Sequence, residues 1–322
     1  MPGEEYRQLL PFLPPELRRA VAVLPAERLR GLEELRLRPD CPVLLRLAGG
    51  EAVLRRDGSL SDVGYVGDVK DMADARMLSR AELKKTMLLL SESSVYAFEE
   101  ELRRGYITLP GGHRAGFAGR AVLERGRIRT LTDISSVNLR VARAVPGAGR
   151  ELLSRLPAAG PLPSVLLVAP PRAGKTTVLR DLARLLADGE GTAPRRVGLA
   201  DERSELAALR DGVPQLDVGL RADVVDGCPK AEAMQLLLRS LSPEVLVTDE
   251  LGREEDGAAV AEASRCGVAV LATAHARDVA EARQRPLLRR LLSEGYFQYL
   301  AVLSRRRGPG TLEEVSRLCE PS

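Results

Sequence analysis

The chain has 322 residues, of which 44% are hydrophobic and 29% are charged, a composition that can bury a substantial core and excludes a disordered tail. Its 48 basic and 45 acidic residues are interspersed and leave a net charge of +3, which argues against a dedicated nucleic-acid-binding arm. Four cysteines without CxxC spacing and only two histidines disfavour a disulfide framework and a His-based metal cluster. Because the apolar runs are short and the first residues lack the pattern of a signal peptide, we expect a cytoplasmic protein.

The first 143 residues are predicted to form an α+β domain. Short amphipathic helices separated by prolines account for the first 30 residues, and near-alternation over Leu32–Leu54 predicts strands joined by a Gly–Gly turn. Helices are predicted over 71–90 and Val95–Arg103. The remaining elements predicted for this domain are a strand at Tyr106–Leu109, a glycine-containing hairpin, and a further strand at Val137–Ala142.

Residues 144–164 are rich in Pro, Gly and Ala and are predicted to be a linker between two domains. From residue 165 to 322 the pattern alternates between apolar strands and amphipathic helices, which indicates a mostly parallel sheet covered on both faces. The predicted strands are Val165–Val168, Arg196–Ala200, Val245–Thr248 and Val268–Thr273. Helices are predicted at Lys175–Ala187, around Met234–Leu241, and in an Ala-rich segment that ends at Gly267.

The stretch APPRAGKTT, residues 169–177, follows a predicted strand and precedes a predicted helix, which is the setting of a phosphate-binding loop. Ala169 replaces the first glycine of the usual GxxxxGK[ST] pattern and fits only if its φ is negative. Lys175, expected to be exposed, would reach the β/γ-phosphates of ATP, and Thr176 would coordinate Mg²⁺. The alternative is an ordinary turn between a strand and a helix. The predicted nucleotide-binding residues are Pro170, Pro171, Arg172, Ala173, Gly174, Lys175, Thr176 and Thr177.

Three further predicted strands end in polar residues that would meet this loop at one edge of the sheet. Asp249 and Glu250 follow an apolar strand, so we predict that Asp249 holds Mg²⁺ and that Glu250 orients or deprotonates the attacking water. Asp201 and Glu202 form an acidic box, for which the alternative is a solvated helix start with Asp201 as its N-cap. His275 ends the fourth strand and is predicted to sense the γ-phosphate. The predicted catalytic residues are Lys175, Glu202, Glu250 and His275.

These four boxes, in this order, resemble those of the secretion-superfamily ATPases of type II and type IV secretion and pili. The stretches GYITLPGGHRAGFAGRAV, VPQLDVGLRADVVDGCPKAEAM and LLLRSLSPEVLVTDELG resemble the stage III sporulation protein AA family more closely. The resemblance implies a RecA-like P-loop ATPase domain, ATP and Mg²⁺ as cofactors, and a hexameric ring. It further implies a cytoplasmic motor of a secretion-like apparatus between mother cell and forespore, held at the membrane by membrane proteins of the same complex. Glu202 and Glu250 both match catalytic carboxylates of such ATPases, and the sequence leaves the choice between them open.

Two alternatives to a motor remain open at this stage: a nucleotide-gated scaffold with little hydrolysis, and a nucleic-acid-stimulated RecA-like ATPase. The low aromatic content and interspersed charge disfavour nucleic acid as a partner. The four boxes contain no arginine that motif logic places at the γ-phosphate, although phosphoryl transfer often uses one. The candidates are Arg114, Arg120 and Arg140 in the first domain and Arg221 and Arg239 in the second.

Overall fold

The computed structural model describes residues 4–63, 74–91, 95–157 and 160–318. The chain divides into two compact units, Met1–Arg143 and Ala144–Ser322, each with its own hydrophobic core. None of the helices in the described ranges is long and apolar enough to cross a membrane.

In its described residues, the first unit contains a seven-stranded antiparallel sheet in the order β4-β3-β2-β1-β7-β6-β5. The strands are β1 (Leu32–Leu37), β2 (Leu44–Leu47), β3 (Gly50–Leu54), β4 (Leu60–Val63), β5 (Tyr106–Thr108), β6 (Arg114–Glu124) and β7 (Arg127–Arg140). The helices are two 3₁₀ segments at Glu5–Phe12 and Pro110–Gly112, α1 (Pro15–Ala22), α2 (Ala26–Leu29), α3 (Arg80–Leu90) and α4 (Val95–Arg104). Leucines of the first helices, such as Leu9 and Leu17, pack with Leu35 and Leu139 of the sheet.

Two predicted elements of the first unit differ from the structure. The helix predicted over 71–90 begins only at Arg80, because Ser79 caps it by accepting the backbone N–H of Glu82 while the Glu82 carboxylate accepts that of Ser79. Residues 75, 77 and 78 instead form isolated bridges to neighbouring segments, and residues 71–73 lie outside the described ranges. The strand predicted at Val137–Ala142 overlaps the last part of the long strand β7, which begins at Arg127 and ends at Arg140.

The second unit has, within the described ranges, a seven-stranded sheet in the order β12-β9-β13-β14-β8-β15-β16, parallel except for its last pair. The strands of this unit are β8 (Val165–Ala169), β9 (Val197–Asp201), β10 (Leu209–Arg210), β11 (Val213–Pro214), β12 (Ala222–Asp226), β13 (Val245–Thr248), β14 (Ala269–His275), β15 (Tyr299–Ser304) and β16 (Thr311–Arg317). The helices are α5 (Arg150–Ser154), α6 (Lys175–Asp188), α7 (Lys230–Leu241), α8 (Glu254–Arg265), α9 (Val279–Gln284) and α10 (Pro286–Ser293).

Helices cover both faces of this parallel sheet, as the apolar runs predict. Leu166 and Val168 pack with α7, α8 and α10, whereas Leu167, one residue away along the same strand, packs with α5 and α6. The predicted α/β class with a mostly parallel C-terminal sheet is confirmed. The register places Ala169 opposite His275, and Thr248 opposite both Ala200 and Ala272, so the residues after these strands emerge at one edge.

The Pro- and Gly-rich stretch 144–164 falls within the second unit. The backbone N–H of Gly149 donates to Asp181 Oδ2 at 2.7 Å, which fixes the start of α5 against α6. A Cβ at Gly149 would lie 2.7 Å from the backbone nitrogen of Leu182, so only glycine allows this approach. The edge strand β12 and the hairpin β15–β16 have no counterpart among the elements predicted from the sequence.

Candidate active site

The phosphate-binding loop connects β8 to α6 in the predicted place. Ala169 is the last residue of the extended strand β8, where alanine needs no positive φ. The left-handed conformations lie further along, at Arg172 (φ 61°) and Gly174 (φ 85°). Gly174 packs closely on the β15–β16 connection, because a Cβ there would lie 2.6 Å from the backbone nitrogen of Gly310. Gly310 N–H in turn donates to Ala173 O at 2.8 Å, so the C-terminal hairpin supports the loop.

Lys175 is buried, whereas the sequence led us to expect an exposed side chain. Its Nζ donates to the carbonyl oxygens of Ala169 (3.2 Å) and Pro170 (3.3 Å), and lies 3.1 Å from His275 Nδ1. Burial lowers the pKa of Lys175, and the neighbouring carboxylates of Asp249 and Glu250 oppose that shift. The ammonium group is therefore held inside the loop, next to the strand that ends in His275.

Thr176 and Asp249, the two predicted Mg²⁺ ligands, are in direct contact. Thr176 Oγ1 donates to Asp249 Oδ2 at 2.5 Å, and Thr273 Oγ1 donates to Asp249 Oδ1. A hydroxyl and a carboxylate side by side at the start of α6 are the oxygen donors that Mg²⁺ prefers, so these residues fit the metal. Thr273, buried in β14, is absent from the predicted set. The sequence signal that could identify it is a threonine two residues before the histidine of ATAH.

Glu250 has a left-handed backbone, with φ 52°, at the turn after β13. Its backbone N–H donates to Thr273 Oγ1 at 2.9 Å. Its carboxylate lies between two partners, since His275 Nε2 is 3.0 Å from Oε1 and Arg203 Nη1 is 2.7 Å from Oε2. Left-handed non-glycine residues are strained and concentrate at functional sites. The turn therefore directs this carboxylate towards His275.

His275 links the phosphate-binding loop to Glu250. The Lys175 ammonium can only donate, so His275 Nδ1 accepts from it, and the Nε2–H is left to donate to Glu250 Oε1. The three side chains form one continuous chain of hydrogen bonds across the ends of β8, β14 and β13. The structure thus brings together three residues that are distant in the sequence. Lys175 and His275 are 100 residues apart, and Glu250 and His275 are 25 residues apart.

The two residues of the acidic box have different surroundings. Asp201 is buried, and its carboxylate accepts four backbone N–H groups, those of Glu205, Leu206, Ala207 and Ala208, at 2.8 to 3.2 Å. Because residues 202–208 form a loop rather than a helix, the alternative of a helix N-cap is wrong, and Asp201 instead folds this loop. Glu202 contacts two cations: its Oε2 lies 2.7 Å from Lys230 Nζ, and its Oε1 lies 3.5 Å from Arg253 Nη1.

A cavity of about 610 Å³ lies between these carboxylates and α10. Its lining includes Glu202, Glu250 and His275 together with Arg203, Lys230, Arg253 and Arg285. Arg203 and Lys230 are absent from the predicted set, although Arg203 directly follows the acidic box and Lys230 lies in VPQLDVGLRADVVDGCPKAEAM, because only the folded chain shows what they contact.

The two arginines that the sequence suggested within the second unit lie away from the site. Arg221 precedes β12 and donates to Ala187 O at 3.0 Å near the end of α6. Arg239 is exposed on the last turn of α7, roughly 13 Å along the helix axis from Lys230 at 1.5 Å per residue. In the first unit, Arg114 lies over the Tyr106 ring at 3.4 Å, Arg140 Nε is 3.4 Å from Glu34 Oε1, and Arg120 is exposed 3.8 Å from Asp133.

Comparisons with known proteins relate the chain to one family. The family model described as sporulation stage III, protein AA matches residues 4–317. Stage III sporulation protein AA of Bacillus subtilis (strain 168) is 40% identical over 309 residues, which cover 96% of this chain and 94% of that protein.

Several solved structures share the fold at low sequence identity. The Legionella pneumophila ATPase DotB matches with a TM-score of 0.52 and 18% identity over 84% of this chain and 72% of its own. The pilus retraction motor PilT with bound ADP matches with a TM-score of 0.50 and 16% identity over 89% and 76%. The second unit therefore has the RecA-like P-loop fold of secretion ATPases. Because the family match spans nearly the whole sequence, the chain belongs to the sporulation stage III, protein AA family.

Proposed function

We propose that this chain is a Mg-ATP-hydrolysing motor ATPase of a secretion-like apparatus between mother cell and forespore. The observation that carries the proposal is the chain of contacts from Lys175 through His275 to Glu250, beside the Thr176–Asp249 pair. A phosphate-loop lysine, an imidazole and a carboxylate that converge at one sheet edge are candidates for catalytic roles. The fold likeness to DotB and to PilT with bound ADP supports the same reading.

In this proposal, residues 170–177 hold the phosphates, Lys175 compensates their charge, and Thr176 and Asp249 hold Mg²⁺. Bound Mg-ATP supplies the γ-phosphoryl group and a divalent charge that stabilises its oxygens. Glu250 orients a water molecule and accepts its proton, which requires its Arg203 ion pair to open. His275 contacts both Lys175 and Glu250 and holds the carboxylate of Glu250 at a fixed position relative to the loop. The loop and the carboxylate therefore respond together to the γ-phosphate.

The assembled state we propose is a hexameric ring with ATP at its subunit interfaces, bound at the mother-cell membrane through membrane proteins of the same sporulation complex and located in the cytoplasm. Arg221 and Arg239 lie far from the site, and Arg203 is paired with Glu250. We infer that an arginine of a neighbouring subunit reaches the γ-phosphate, and Arg114, Arg120 and Arg140 are its candidates in the first unit. Specific activity is then expected to rise with protein concentration as rings form.

The test is phosphate release from Mg-ATP by the purified full-length chain, alongside binding of a fluorescent ATP analogue. We expect Mg²⁺-dependent turnover that Lys175→Ala abolishes and that Lys84→Ala, an exposed lysine of α3, leaves unchanged. Nucleotide binding without turnover at any protein concentration would contradict the motor and favour a nucleotide-gated scaffold. Stimulation of turnover by single-stranded DNA would instead favour a nucleic-acid-dependent ATPase.

A further inference from the structure

Lys230 is a buried lysine at the start of α7, only 7% exposed. Its Nζ lies 2.7 Å from Glu202 Oε2, donates to the backbone carbonyl of Glu250 at 3.0 Å, and lies 4.0 Å from Asp256 Oδ2. One ammonium group thus joins three segments: the loop after β9, the turn after β13 and the start of α8.

The two carboxylates near Lys230 are not equivalent partners. Asp256 Oδ2 already accepts the backbone N–H groups of Gly252 and Arg253, each at 2.9 Å. Because a buried ammonium group needs a close counter-ion, Glu202 takes that role. Glu202 also faces Arg253, so it must leave two cations before it can accept a proton from water.

The contact of Lys230 with Glu250 is different, since it is made to the backbone carbonyl and leaves the carboxylate to His275 and Arg203. A donor on that carbonyl fixes the peptide that follows the left-handed residue and so the direction of its side chain. The ammonium group of Lys230 therefore forms an ion pair with one candidate base, Glu202, and orients the other, Glu250.

We propose that Lys230 is the positioning residue of the site: it keeps Glu202 as its counter-ion and aims Glu250, so that Glu250 rather than Glu202 activates water. This inference rests on the proposed ATPase activity. It predicts that Lys230 acts on turnover through two other residues and has little effect on nucleotide binding.

The experiment compares Lys230→Met, Lys230→Arg and the matched surface variant Lys84→Met in the full-length chain. We expect Lys230→Met to lower kcat about tenfold or more with nucleotide affinity within about threefold, and Lys230→Arg to recover part of the loss. Adding Glu202→Gln to Lys230→Met removes the carboxylate that has lost its buried counter-ion, so the double variant should exceed Lys230→Met in kcat and in melting temperature. That double variant also keeps the test valid if Lys230→Met alone folds poorly.

Turnover by Lys230→Met within twofold of wild type would overturn the inference, as would a Glu202→Gln variant that loses as much kcat as Glu250→Gln. A double variant with no gain over Lys230→Met would overturn it as well. These outcomes leave the proposed ATPase activity standing. A wild-type chain without turnover, or a Lys175→Ala variant that turns over ATP normally, would instead remove the proposed function and the inference together.

Discussion

The candidate site has two sides that are built in different ways. The phosphate side, defined here as Lys175 and Thr176 with Asp249, depends largely on one contiguous stretch in which Lys175 contacts the carbonyls of Ala169 and Pro170. The carboxylate side, defined as Glu202, Glu250 and Lys230, joins the segments after β9 and β13 to α7. Lys230 makes an ion pair with Glu202 and a hydrogen bond to the backbone carbonyl of Glu250. His275 lies between the two sides and contacts both.

This difference separates binding from turnover. The phosphate side offers backbone and cationic groups to an anion, which act on the bound nucleotide before any reaction. The carboxylate side has an acceptor for a proton from water, and such a group acts mainly in the transition state. Variants on the first side should therefore change affinity, and variants on the second should change kcat.

The largest expected effect is that of Lys175→Ala on nucleotide affinity. Removing the ammonium group from the loop should weaken Mg-ATP binding about a hundredfold or more, since about 1.4 kcal/mol corresponds to each factor of ten. The fold should persist, because burial lowers the pKa of Lys175 and the charged side chain is disfavoured in the folded protein. Fluorescent-analogue titration and a melting curve measure the two effects. Native affinity, or loss of the folded state, would contradict the role of the loop.

Next in size is the contrast between the two acidic candidates. Glu250→Gln should lower kcat about a hundredfold or more while affinity stays within about threefold, whereas Glu202→Gln should lower kcat by less than about tenfold. The reason is that Glu202 is the counter-ion of the buried Lys230, whereas the cation paired with Glu250 is Arg203, which is exposed to solvent and can separate from it. Steady-state phosphate release on matched preparations makes the comparison, and a reversed order would identify Glu202, in the loop after β9, as the base.

The sequence predicts the phosphate side much better than the carboxylate side. Strand β8, the loop and α6 are a continuous pattern of apolar residues, glycine and GKTT, so local chemistry determines them. Lys230, Arg203 and Thr273 acquire their roles only through contacts across 20 or more residues. Asp201 shows the same limit, because an acidic residue after a strand looks catalytic until its four backbone N–H partners are known.

The same limit applies to the fold. The buried strands of the second unit are uniformly apolar and therefore predictable, whereas the edge strand β12 is only partly buried and carries aspartates at both Asp223 and Asp226. In the first unit, helix α3 starts late because residues 75, 77 and 78 form isolated bridges to neighbouring segments and the capping residue Ser79 follows them. The segments that pair with β12 and with the residues before α3 are distant in the sequence, so the local sequence does not identify them.

A smaller effect is expected for His275, which joins the two sides. His275→Ala should lower kcat about tenfold to a hundredfold, because Glu250 loses the donor on Oε1 while Lys175 keeps its carbonyl partners. Affinity should change less than in Lys175→Ala. If His275→Ala left kcat unchanged and weakened only affinity, His275 would belong to the phosphate side alone.

The smallest expected effect concerns the other histidine, His113, which is buried in the first unit. Its Nδ1 accepts the backbone N–H of Ala142 at 2.9 Å, and its Nε2 lies 2.9 Å from Glu5 O. Burial lowers the pKa of His113, so its contribution to stability is present above pH 6.5 and is lost as the pH falls from there through the folded-state pKa. His113→Ala should lower the free energy of unfolding by about 2 kcal/mol at pH 7.5.

Denaturant unfolding of wild type and His113→Ala at pH 7.5 and pH 5.5 measures this contribution. The difference in the free energy of unfolding between the two proteins should be smaller at pH 5.5 than at pH 7.5. At the lower pH wild type loses the contribution of neutral His113, which the variant lacks at both pH values. A difference that grows as the pH falls would mean that His113 is charged in the folded state.

The most direct test of the division between the two sides is the identity of the nucleotide that each protein retains after incubation with Mg-ATP and rapid removal of free ligand. Chromatography of the released nucleotide should find ATP on Glu250→Gln, ADP on wild type and Glu202→Gln, and neither above background on Lys175→Ala. ADP on Glu250→Gln in the amount found on wild type would contradict the assignment of Glu250 to turnover. ATP or ADP retained on Lys175→Ala would contradict the assignment of Lys175 to binding.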